Sequence, residues 1–135
     1  MKTKNFRTSL LIILTSVTAI LLVTACGQIE ANRNYVVTSL PGLIRASFQT
    51  FDLEESQPVG MQAGQTIDIQ YKAELTKGQV IFQLLDPEGE VVWEKSVGEN
   101  VSDRVTLTAE KTGRYRVNVV GEKAGGSYEI TWEVK

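Results

Sequence analysis

The sequence predicts an all-β fold, an antiparallel β-sandwich of roughly seven or eight strands that follows an N-terminal apolar signal helix. Three observations lead there. Apolar and polar residues alternate with period two through most of the chain after Leu43, the pattern of strands with one buried face. Turn-forming residues recur at steps of about ten to fourteen residues, as they do in sandwiches and barrels. No stretch beyond residue 30 carries a helical period.

The first element is the apolar segment. Lys2, Lys4 and Arg7 precede an uncharged run from Leu10 to Val23, which ends in Val23-Thr24-Ala25-Cys26-Gly27. A positive flank, a short apolar core and small residues at its end describe a secretory signal. A permanent span usually takes about 17–25 apolar residues, so this run is short for one. Val23, Thr24, Ala25 and Cys26 fill the places of a lipobox, and the segment resembles the signal sequence of bacterial lipoproteins. That resemblance implies a diacylglycerol thioether on Cys26, cleavage after Ala25 and a membrane partner reached through the lipid. Two acyl chains are enough for stable anchoring, since each buried CH₂ contributes about 0.8 kcal/mol. Residues 1–25 are then the signal peptide, residues 26–42 the lipidated cysteine and tether, and residues 43–135 the folded domain, on the extracytoplasmic face of the cell membrane.

The strands follow in order. Weak patterns cover Leu43–Leu53 and Gln57–Gln62. Ile67, Ile69, Tyr71, Ala73 and Leu75 alternate with polar residues, Val80–Leu85 is more densely apolar, and Val91–Lys95 is its hairpin partner. Val105, Leu107 and Ala109 mark another strand, as do Tyr115, Val117 and Val119, and finally Tyr128, Ile130, Trp132 and Val134. Such regular alternation fixes register, because a one-residue slip would turn the apolar set to water. Gly64, Lys77-Gly78, Asp86-Pro87-Glu88-Gly89, Gly98-Glu99-Asn100, Lys111-Thr112-Gly113 and Ala124-Gly125-Gly126 supply the expected turns. In Asp-Pro-Glu-Gly, proline presets φ at the second position, while Asp and Gly favour the first and fourth.

Asp86–Gly89, Val92-Trp93, Gly113-Arg114-Tyr115 and Gly126-Ser127-Tyr128 together resemble the GOLD-like (jelly-roll) and pre-peptidase C-terminal-like sandwiches, and uncharacterised lipoproteins of Gram-positive bacteria. The likeness implies a sandwich over residues 43–135 and an accessory or adhesion role. It brings no catalytic residue with it.

Composition excludes several chemistries. The chain has no histidine and one cysteine, so imidazole-based catalysis, an internal disulfide and a thiolate zinc cluster are ruled out. Removing residues 1–25 takes away three cations and no acid, leaving a formal charge near −5 and no basic patch for nucleic acid. No catalytic, cofactor-binding or metal-ligating set is expected. Asp86, Glu88, Glu90 and Glu94 gather near one turn, but their spacing matches no EF-hand calcium loop. Most aromatics fall on the apolar phase of their strands and read as core; Trp93, between Val91 and Lys95, is the one candidate ligand contact. The expected function is a non-enzymatic, monomeric binding or accessory module for an envelope protein or glycan. The alternative, an envelope hydrolase, would need a cleft with two carboxylates, one of raised pKa.

Overall fold

The computed structural model describes residues 35–135. The signal stretch and Cys26 lie outside them. Seven strands follow in order: β1 (Tyr35–Leu40), β2 (Leu43–Phe51), β3 (Glu54–Met61), β4 (Thr66–Leu85), β5 (Val91–Val97), β6 (Val101–Thr108) and β7 (Gly113–Val134). Every neighbouring pair is antiparallel. Among the described residues there is no helix.

The architecture rests on two strands of 20 and 22 residues, β4 and β7, which pair with each other along their lengths. The first half of β4 pairs β6 and the end of β7; its second half pairs β5 and the start of β7. The end of β7 also pairs β2, and its start pairs β3. One seven-stranded sheet is thereby folded over itself. Layer one runs β1-β2-β7-β4-β6, and layer two runs β3-β7-β4-β5.

Lys77-Gly78 and Ala124-Gly125-Gly126, expected as turns between separate strands, instead lie inside β4 and β7, where both bend from one layer into the other. The register slips at Leu75/Lys77 and Lys77/Gln79, extra residues that sharpen local twist and bend. Gly126 has φ 129° and a Cβ there would collide with the Glu74 carbonyl oxygen, so glycine lets the two backbones approach at the bend. The hydrogen-bonded ladder continues past these residues, which is why turn chemistry did not end the strands.

Tyr35–Leu40, placed by the sequence in the tether, forms β1 and pairs β2 from Tyr35↔Phe48 to Leu40↔Leu43. Its apolar residues Val36, Val37 and Leu40 are exposed, and without a buried alternating face it left no strand signal in the sequence.

The core lies between the layers. Ile67, Ile69, Tyr71 and Ala73 of β4 are buried, as are Val117, Val119, Tyr128 and Ile130 of β7, each on the phase their alternation assigned. Phe48, Phe51, Phe82 and Tyr128 meet at the centre, with ring centroids 5.0–6.0 Å apart. Burying each such side chain contributes about 1.5–3 kcal/mol. Trp132 is only half-buried, against the edge of this core.

Candidate functional site

The two ends of the sandwich differ. The bend end carries the β2–β3 and β5–β6 connections. The opposite end gathers four connections, β1–β2, β3–β4, β4–β5 and β6–β7. Two of these, β3–β4 and β6–β7, are tied directly by backbone N–H groups, and Lys111 joins the β4–β5 turn to them. The Gly64 N–H donates to the Ala109 carbonyl at 2.8 Å, and the Ala63 N–H to Thr112 Oγ1 at 2.9 Å.

Asp86 organises the β4–β5 turn as its motif predicts. The Gly89 N–H donates to the Asp86 carbonyl at 2.9 Å, and Gly89 adopts φ 87°. Asp86 Oδ1 accepts the N–H groups of Glu88 and Glu90, both at 2.9 Å. The other oxygen accepts Lys111 Nζ at 2.7 Å. Asp86 is 4% exposed, and a buried carboxylate requires such pairing. The Lys111 ammonium and the turn's N–H groups hold its carboxyl below the usual range. Lys111 also pairs Glu88, and its backbone is pinned by Tyr115, whose hydroxyl donates to the Lys111 carbonyl at 3.0 Å.

Beside this knot a cleft of about 430 Å³ opens between the layers, where β5 faces β6. Met61, Ile67, Leu84 and Leu107 line it, Val91 and Val92 stand at its mouth, and Glu90 and Glu110 lie on its rim with Asp86 and Lys111. The mouth valines are about half exposed.

Catalysis by a carboxylate pair needs one acid kept protonated near neutral pH. Among the described residues, the carboxyls of Asp68, Glu74 and Asp86 have their pKa displaced downward, each first by a hydrogen bond from lysine. Three of the four acids of the candidate calcium cluster are engaged with other side chains: Asp86 and Glu88 share Lys111, and Glu94 accepts Gln83 Nε2 at 2.7 Å. Among the described residues, no group of three acids could hold a metal ion.

Trp93 is half-buried and faces inward, its ring 5.6 Å from Tyr71 at 50°. The Tyr71 hydroxyl donates to Asp103 Oδ2 at 3.3 Å; burial and that carboxylate raise its pKa. Every aromatic ring among the described residues is buried or half-buried. A second, shallower hollow on the outer face of layer one is lined by Gln70, Lys72, Ser102, Arg104, Glu129 and Thr131. Sequence reasoning found Asp86 through its turn motif. It missed Lys111 and the cleft, because those contacts join strands far apart in the chain.

No protein-family model matches the chain, and no curated protein matches it. Among solved structures it is similar to the pre-peptidase C-terminal domain of a collagenase from Bacillus anthracis, at 20% identity over 67% of this chain and 87% of that one, with a TM-score of 0.48. It is also similar to a carbohydrate binding module of Cellvibrio mixtus lichenase 5A, solved with cellotriose, at 14% identity over 76% and 87% of the two chains, with a TM-score of 0.47. A third is PliG of Aeromonas hydrophila, a periplasmic inhibitor of g-type lysozyme, at 16% identity over 72% and 93%, with a TM-score of 0.46. The functional reading rests on this chain's own residues.

Proposed function

We propose that the chain is a lipid-anchored, extracytoplasmic lipoprotein whose sandwich is a non-enzymatic module, binding an envelope partner at the cleft between β5 and β6. The observation that carries the reading is the cleft itself. It joins an apolar floor to a rim of carboxylates, and the rim acid of displaced pKa, Asp86, is held ionised by Lys111. A carboxylate held in this way suits recognition through a fixed charge. Apolar pockets with a few convergent polar groups are the usual form of a binding site.

The chain enters the sandwich at the bend end, where Tyr35 stacks on Phe51 at 5.6 Å. The cleft therefore lies at the end away from the point of entry. The eight residues from Gly27 to Asn34 reach at most roughly 29 Å when extended. An acidic domain on such a tether is repelled by an anionic surface.

Anchoring is tested by growing cells that express the chain with a fatty-acid probe. Wild type takes up label, while Cys26→Ser takes up none and remains as an uncleaved precursor. Equal labelling of the two would exclude the lipoprotein.

A further inference from the structure

Each layer ends in edge strands, and three of the four are guarded. β3 carries Glu54, Glu55 and Pro58; β5 carries Glu94 and Lys95; β6 carries Asp103 and Arg104. Charges and proline on an edge discourage pairing with another chain. β1, Tyr-Val-Val-Thr-Ser-Leu, has no charge, no proline and no glycine, and pairs β2 without a bulge. Val36 is 65% exposed and Leu40 53%.

The strand is also held in shape from within. Tyr35 donates to Glu55 Oε1 at 2.6 Å, and Gln57 Nε2 donates to Ser39 Oγ. Both bonds cross from layer one to layer two, so the inner face of β1 is fixed and the opposite face presents Val36, Thr38 and Leu40. Beyond them, no described strand pairs the outer edge.

We propose that β1 is a self-association edge, through which two copies of this chain pair antiparallel and join their first layers into one sheet. The occupant is a second copy because the edge is neutral in an acidic protein. Copies with a net charge near −5 after Ala25 repel across most of their surfaces, and β1 is the edge where no like charges are brought together. Pairing centred on Thr38 sets Val36 against Leu40 and Val37 against Ser39, neighbours that share a face, and such aliphatic and hydroxyl contacts stabilise antiparallel pairs. Six residues bury far less than the about 800 Å² per partner of a durable complex. The association is therefore weak in dilute solution, where the monomer expected from the sequence prevails, and is populated at high local concentration.

Sedimentation velocity on residues 27–135, which contain all seven described strands and their core, tests this between about 10 μM and 1 mM, the range of weak complexes. Wild type moves toward a dimer as concentration rises. Val36→Lys with Thr38→Lys, both exposed and outside the core, weakens dimerisation at least tenfold; Leu40→Lys alone does so in the same direction. Val92→Lys, on the exposed part of β5, leaves it unchanged. A wild type that stays monomeric throughout, lysine variants that associate as wild type does, or loss of association in Val92→Lys would each overturn the proposal.

Discussion

Lys111 Nζ stands 2.7 Å from Asp86 Oδ2, joining the β6–β7 loop to the β4–β5 turn at the edge of the cleft. The loop crosses from β6 in layer one to the start of β7 in layer two, and the pair fixes that crossing to the layer-two turn.

Stability should report this pair through pH. Folding lowers the Asp86 pKa, so its contribution is present above the carboxyl's unfolded pKa and is lost as pH falls through the folded one. Asp86→Asn keeps an oxygen for the Glu88 and Glu90 N–H groups and removes the charge. The variant should have a lower Tm than wild type at pH 7, with the gap shrinking below about pH 4. A gap of constant size would show that the ion pair contributes nothing.

The bend should tolerate no side chain at Gly126. Gly126→Ala meets the Glu74 carbonyl at a positive φ and should cost at least about 2 kcal/mol in urea unfolding. Gly60→Ala, where a Cβ has no atom within 4 Å, should stay within about 0.5 kcal/mol of wild type. Equal effects would place the bend elsewhere.

In the core, the Tyr128 hydroxyl is buried beside Tyr35 and Glu55 without a hydrogen bond of ordinary geometry. Burial, then those two neighbours, raises its pKa. An unsatisfied buried group costs about 1–3 kcal/mol, so Tyr128→Phe should be neutral or stabilising by up to about 1 kcal/mol. Phe82→Ala, at a fully buried ring, should cost about 3–5 kcal/mol. Clear destabilisation by Tyr128→Phe would mean that its hydroxyl has found a partner.

The period-two pattern disclosed the all-β class, the register of β4 and β7 and most of the core, because burial of one face is written locally in alternation. It divided β4 at Lys77-Gly78 and β7 at Ala124-Gly126, since turn residues and bend residues are the same types and only cross-strand partners separate them. Trp132 lay on the buried phase yet is half-buried, being near the chain end and the margin of the core. Asp86 was legible as a turn residue. Its bond to Lys111, 25 residues away, was not, and neither was a cleft formed where β5 and β6 face each other from different layers.

The claim of binding without turnover is tested most directly by mixing residues 27–135 with isolated cell envelopes and measuring both the protein retained and the soluble fragments released. Saturable retention and no fragments are expected. Val91→Ser with Val92→Ser at the mouth should weaken retention at least tenfold, about 1.4 kcal/mol, and Gln49→Ser on the outer face of β2 should leave it unchanged. Fragments released by wild type but not by Glu90→Gln or Glu110→Gln, with the fold intact, would contradict the account, as would retention indifferent to the mouth valines.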